Sequence, residues 1–165
     1  MRGSKLREMF ECVPEIDCDS GFRYFLYNIP NYSRALLSIL KSMKSKMPIM
    51  NLMLQTGEYE GLRSITQTLQ KMFNNIGAFG LAEASYELET SLLKNEPNIM
   101  PDLLLTYLDR LVMFSQHLEL LFKATDFKNT SVIEEDVASY FNYDFTKTKE
   151  SIKRSSDLLG RKIIS

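Results

Sequence analysis

The stretch Leu62–Glu89 reads LRSITQTLQKMFNNIGAFGLAEASYELE, and it predicts the fold of the chain. Its first half repeats apolar residues at spacings of four, four and three, which indicates one stripe on a helix: Ile65, Leu69, Phe73 and Ile76. Gly77 then interrupts the pattern, since glycine readily takes the left-handed turn that ends a helix. A second helical stripe follows at once: Leu81, Ala84, Leu88 and Leu92. Two amphipathic helices with so short a link predict an antiparallel hairpin.

Polar side chains recur on the opposite side of the first helix, where we expect them to face water. These are Arg63, Gln67, Gln70, Lys71 and Asn74. They include two cations and three amides and no carboxylate, so this side of the helix suits an acidic partner.

The same stretch resembles the histidine-containing phosphotransfer (HPt) domains of bacterial phosphorelays. Their motif is roughly His-x-Leu-Lys-Gly, followed at a fixed distance by Ile-Gly-Ala and then by a Leu and a Leu-Glu pair. The matching residues here are Thr68-Leu69, Asn75-Ile76-Gly77-Ala78, Leu81 and Leu88-Glu89. A second segment also resembles the opening of these domains: Ile16-Asp17, Gly21-Phe22-Arg23, Tyr32 and Leu36-Leu37. The resemblance covers roughly residues 16 to 122 and implies an up-down four-helix bundle.

The residues that carry the chemistry of the motif are replaced. Gln67 stands at the histidine position, Gln70 at the lysine position and Lys71 at the glycine position. The amide nitrogen of Gln67 has a delocalised lone pair and cannot attack an aspartyl phosphate, and Gln70 has no charge to place on phosphate oxygens. Lys71 restores a cation nearby but adds bulk. An ordinary solvated glutamine is the simplest interpretation of Gln67 alone, and the flanking register makes a docking surface about equally plausible.

Composition limits the class of protein. The chain has 165 residues, 44% of them hydrophobic and 25% charged, with a net charge of −1, which is typical of a globular protein. The charge provides no general attraction to nucleic acid, and no apolar run is long enough for a membrane span. The first residues lack the apolar core of a signal peptide, so we expect a cytoplasmic protein. Cys12 and Cys18 are then reduced packing residues.

The remaining segments extend this bundle on both sides. Asp17 or Asp19 is expected to cap a short helix, a helix is predicted over Ser33–Met47, and Pro48 should stop or kink it. A long helix after Pro101 has a predicted inner face of Leu104, Leu108, Leu111, Ser115, Leu118 and Phe122. We therefore divide the chain into an HPt-like bundle over residues 1–125 and a C-terminal helical extension over residues 126–165.

His117 is the only histidine, and no part of the motif surrounds it. A displaced phosphoacceptor is one interpretation of it. However, no Lys or Arg follows it within one turn, so we interpret it as a residue at the edge of the bundle. A single histidine also cannot form a zinc site. No cofactor motif, phosphate loop or nucleophile elbow is present, and we expect neither an enzyme nor a cofactor.

The sequence therefore predicts a signalling module that has kept the HPt fold and lost the phosphoacceptor. Its expected partner is a response-regulator receiver domain or a sensor kinase, bound through Arg63, Gln67, Gln70, Lys71 and Asn74. A homodimer is a further expected partner, and nucleic acid and membrane are not. The alternative is a structural or oligomerisation bundle that binds no receiver.

Overall fold

The computed structural model describes residues 7–94 and 100–124, and within them every regular element is a helix. A 3₁₀ turn at Phe10–Cys12 precedes five α-helices. These are α1 (Cys18–Tyr24), α2 (Ile29–Gln55), α3 (Tyr59–Ile76), α4 (Phe79–Lys94) and α5 (Met100–Ala124). The predicted all-α class is confirmed. The proposed extension over residues 126–165 lies outside the described residues.

Helices α3 and α4 form the hairpin that the sequence predicts. Gly77 ends α3 with a φ of 89°, and the N–H of Ala78 donates to the Phe73 carbonyl at 2.8 Å. The predicted stripes face the core, with the following side chains buried: Leu69, Phe73, Ile76, Leu81, Leu88 and Leu92. Ile65 lies at the edge of the core and is only partly buried.

Helix α2 is longer than predicted. Asn28 caps it by accepting from the N–H of Asn31 at 3.0 Å, and Pro30 stands in its first turn. Of the two effects expected of Pro48, a stop or a kink, the stop is wrong, because α2 continues through this residue to Gln55. A proline inside a helix costs one backbone hydrogen bond. Here Met43 and Met50 on either side of it are fully buried, and this packing holds both halves of α2 against the core.

Helix α5 turns a slightly different face to the core from the one predicted. From Leu104 onward its largest buried side chains follow alternating steps of three and four: Leu104, Tyr107, Leu111, Phe114, Leu118 and Leu121. Ser115, which was also expected inside, is buried as well. Leu108 and Phe122, which we expected inside, are only partly buried. The predicted face was rotated because the apolar residues of α5 extend around most of the helix, which leaves its phase poorly defined by the pattern.

The four long helices pack as a bundle. Helix α3 contacts α2 and α4, and α5 also contacts α2 and α4, so α3 and α5 occupy opposite corners. Helix α1 lies on α2 and α3, and the 3₁₀ turn packs on α5. The hairpin of α3 and α4 carries exposed side chains on both helices, among them Lys71, Asn74 and Tyr86.

Candidate partner-binding face

Gln67 lies on the side of α3 that faces α4, where a hydrogen bond holds its amide. Its Nε2 donates to Oε1 of Glu89 on α4 at 2.7 Å, and both side chains are half-buried. The expectation that Gln67 projects into water is therefore wrong. The side chain at the phosphoacceptor position of the motif thus binds a neighbouring helix of its own chain.

Arg63 lies one turn before Gln67 and binds two carboxylates. Its guanidinium is 3.0 Å from Oε1 of Glu60 and 3.7 Å from Oε1 of Glu89. The Arg63 side chain is only 21% exposed, and that of Glu89 only 16%. Because Glu89 accepts from Gln67 and also faces Arg63, it neutralises much of the positive charge that the sequence assigned to this surface.

The remaining three predicted residues are more accessible. Lys71 and Asn74 are exposed, and Gln70 is partly buried. Lys71 makes no ion pair within the described residues. The structure thus places all five predicted residues on the α4 side and outer side of α3, and Lys71 provides the accessible positive charge among them.

Helix α4 contributes a row of exposed apolar side chains beside these residues. Phe79, Tyr86 and Leu93 recur every seven residues and are 48%, 56% and 64% exposed. Glu89 lies three residues after Tyr86 and four before Leu93, so all three share one side of α4. Since Glu89 contacts Gln67, that side is the one next to α3. We call this surface, formed by the five residues of α3 together with Phe79, Tyr86, Glu89 and Leu93, the α3–α4 face.

Sequence reasoning assigned Glu89 only to the scaffold and missed its role in the site. The signal was present in the register of the hairpin. Gly77 and Ala78 form the turn, so positions equally distant from it lie opposite each other, and position 67 falls opposite positions 88 and 89. The carboxylate of the Leu88-Glu89 pair could thus have been placed beside Gln67 in advance.

The two matched segments of the sequence converge at one place, which we call the junction: Asp17, Gly21, Tyr32, Ile76 and Gly77. The N–H of Asp17 donates to the Gly77 carbonyl at 2.9 Å, and the Tyr32 hydroxyl donates to the Ile76 carbonyl at 2.8 Å. A Cβ on Gly21 would lie 2.7 Å from the Ile76 oxygen, and a Cβ on Gly77 would collide with the Asp17 carbonyl. Residues from three separate parts of the chain thus meet at one place.

His117 lies away from the α3–α4 face, on α5. Its Nδ1 is 2.8 Å from both carboxylate oxygens of Glu15, which joins the segment before α1 to the end of the bundle. The prediction of a residue at the bundle edge agrees with this position. The contact with Glu15 gives His117 a structural role at this position.

The cysteines and acidic residues offer little chemistry. Cys12 and Cys18 are unpaired, and burial raises the pKa of Cys18 to about 11, so its thiol is protonated and unreactive near neutral pH. Within the described residues no group of three or more His, Cys, Asp and Glu side chains is placed to hold a metal ion. None of the helices in the described ranges is both long and apolar enough to cross a bilayer.

Comparison of the chain with protein-family models, curated proteins and solved structures gives no significant match. The family resemblance therefore rests on the matched residues of the two segments and on the contacts that they make.

Proposed function

We propose that the chain is an HPt-like docking module of a phosphorelay that binds a receiver domain through the α3–α4 face and accepts no phosphoryl group. The junction supports this assignment most directly. Five residues of the resemblance, in two separate segments, meet in one set of backbone and side-chain contacts: Asp17, Gly21, Tyr32, Ile76 and Gly77. Accidental matches in sequence have no reason to converge in space.

The absence of phosphotransfer follows from the group at position 67. A carboxamide has no nucleophilic nitrogen, and the Nε2–H of Gln67 already donates a hydrogen bond to Oε1 of Glu89. Lys71 places a long side chain one turn further along α3, where a phosphotransfer site needs close approach of the receiver. The α3–α4 face is therefore suited to binding and not to transfer.

The composition of the face fits a protein partner. Tyr86 and Leu93 supply exposed apolar area, and tyrosine is among the residues that contribute most to protein interfaces. Lys71 adds a positive charge at the rim, which suits the acidic pocket of a receiver and acts mainly on the association rate. Arg63 contributes less than the sequence suggested, because two carboxylates of its own chain already neutralise it.

Titration calorimetry against the receiver domains of the same cell tests the proposal. We expect Tyr86→Ala to weaken binding by about 1–2 kcal/mol, since it removes a central apolar contact. Lys71→Glu should cost a smaller amount, roughly 0.5–1 kcal/mol, and its effect should shrink as salt is added. We prefer Lys71→Glu alone to a double change with Arg63→Glu, because the latter would also break two ion pairs within the fold.

Two substitutions on α2 serve as matched controls. Leu52→Ala removes an exposed apolar side chain and Lys41→Glu reverses an exposed charge, and both lie on a helix outside the α3–α4 face. They should leave the affinity unchanged. If no receiver binds the parent chain, or if the control pair weakens binding as much as the test pair, the docking proposal fails and the structural bundle becomes the better account.

A further inference from the structure

Helix α5 carries a second exposed surface that the α3–α4 face does not use. Four large apolar side chains of α5, namely Leu105, Val112, Met113 and Leu120, are between 45% and 56% exposed. A helix that is apolar around most of its circumference normally has packing partners on more than one side. The elements that contact α5 leave these four side chains at least 45% exposed.

Six residues at the centre of this surface form a symmetric pattern of charged, apolar and amide side chains. We call them the α5 outer face: Asp109, Val112, Met113, Gln116, Leu120 and Lys123. At 100° per residue, all six fall within about a quarter to a third of the circumference of the helix. Every one of them is exposed. Neither Asp109 nor Lys123 forms an ion pair within the described part of the chain.

The pattern is complementary to itself when reversed about Gln116. Asp109 lies seven residues before Gln116 and Lys123 lies seven after it, while Val112 lies four before and Leu120 four after. Two copies of α5 placed antiparallel and centred on Gln116 would therefore set each Asp109 against Lys123, and each Val112 against Leu120, of the other copy. A two-fold symmetric interface requires this kind of self-complementarity.

We propose that a second copy of this chain binds the α5 outer face and forms an antiparallel, two-fold symmetric dimer. Each Val112 packs on Leu120 of the other copy and supplies apolar contact area. The Asp109–Lys123 pairs fix the direction and register of the two helices. Because α3 and α5 occupy opposite corners of the bundle, both α3–α4 faces remain accessible in such a dimer. If the proposed function holds, the dimer presents two docking faces; the dimer itself does not depend on that function.

Sedimentation equilibrium of the full chain across the micromolar range tests the dimer. The parent should show a reversible monomer–dimer equilibrium. Asp109→Lys alone and Lys123→Asp alone should each raise the dimer dissociation constant by roughly tenfold or more, because each replaces two attractive pairs with two repulsive ones. Val112→Asp should give monomer, since it buries an unpaired carboxylate against Leu120 of the other copy in each half of the interface.

Mixing the two charge variants provides the sharpest measurement. In a mixed pair, each lysine at position 109 or 123 again faces an aspartate, so an equimolar mixture should regain the dimer of the parent. The Asp109→Lys, Lys123→Asp double variant should also dimerise. Leu93→Asp, on the exposed side of α4, is the control and should leave the dimer dissociation constant unchanged.

Three results would overturn the inference. A parent that stays monomeric throughout the range leaves no dimer to explain. A dimer that persists unchanged in both single charge variants uses another surface. A loss of thermal stability in Val112→Asp at concentrations where the parent is monomeric would show that the chain's own residues cover the α5 outer face.

Discussion

Helix α3 carries two regions of the same sequence motif, and they differ in how closely other parts of the chain pack against them. At its C-terminal end, Ile76 and Gly77 belong to the junction, where a Cβ on Gly77 would meet backbone atoms of the segment before α1. At its middle, Gln67 belongs to the α3–α4 face, where one hydrogen bond to Glu89 holds it. The junction allows few residue types on steric grounds alone. The middle of α3 allows many, because a half-buried polar position imposes no such limit.

Gly77→Ala should lower the free energy of unfolding the most, because it disturbs the junction in two ways. Alanine at a φ of 89° is strained, and its Cβ would collide with the Asp17 carbonyl. We expect a loss of about 2–4 kcal/mol in the free energy of unfolding, measured by urea denaturation.

Gly57→Ala is the matched control for this prediction. Gly57 also has a positive φ, of 75°, but nothing lies within 4 Å of its missing Cβ. It should cost only the backbone strain, about 1 kcal/mol. The difference between the two variants measures the contact at the junction, and equal losses would show that the contact contributes nothing.

Tyr32→Phe should have the next largest effect. The Tyr32 side chain is fully buried, and its hydroxyl donates to the Ile76 carbonyl at 2.8 Å. Burial also raises the pKa of Tyr32 well above its ordinary value, which keeps the donor protonated. Removal of the hydroxyl leaves a buried carbonyl without this partner and should cost about 1–2 kcal/mol on urea denaturation.

Tyr107→Phe serves as the comparison for Tyr32→Phe. The Tyr107 hydroxyl lies 2.7 Å from that of Ser85, which also donates to the Leu81 carbonyl at 2.9 Å. Since Ser85 keeps a partner, the loss should be smaller. A larger loss at Tyr107 than at Tyr32 would mean that the junction is not the more sensitive of the two buried sites.

The sequence predicted the parts of the fold whose cause is local. Gly77 ends α3, Asp17, one of the two expected caps, begins α1, and the stripes of α3 and α4 face inward. Each of these features depends on spacing or on a single backbone conformation. The continuation of α2 through Pro48 could not be predicted this way. It depends on the burial of Met43 and Met50 on either side of Pro48, which is a property of the folded chain and not of the local sequence.

The candidate site was predicted less completely than the fold. All five residues of α3 lie on one surface, but helical spacing alone cannot tell which side of that surface a neighbouring helix touches. The half-burial of Gln67 and the neutralisation of Arg63 both come from Glu89 on α4. An inference from one helix taken alone therefore overestimated the charge and exposure of the α3–α4 face.

Gln67 and Glu89 should show a small but measurable coupling, in keeping with the tolerance of the middle of α3. A double-mutant cycle with Gln67→Ala and Glu89→Ala should give an interaction free energy of about 0.5–1.5 kcal/mol, as expected for a partly buried hydrogen bond to a carboxylate. Asn74→Ala, on the exposed side of α3, should change stability by a few tenths of a kcal/mol at most. A coupling indistinguishable from zero would mean that Gln67 is simply a solvated residue.

The smallest expected effect is on phosphoryl uptake, where we expect none in the parent and very little in Gln67→His. An imidazole at position 67 would lie beside Glu89, but Gln70 would still supply no charge and Lys71 would still obstruct the receiver. Loss of one stabilising group of this kind typically costs about a hundredfold or more in rate. A triple variant, Gln67→His with Gln70→Lys and Lys71→Gly, should therefore take label from a phosphorylated receiver much faster than Gln67→His alone.

Asn74→His is the matched control, since it places an imidazole two turns further along the same side of α3 without the rest of the motif, and it should stay unlabelled. Equal labelling of the single and triple variants would show that Gln70 and Lys71 do not oppose transfer. Label in the parent that disappears in His117→Ala would identify His117 as a phosphoacceptor and contradict the assignment of position 67.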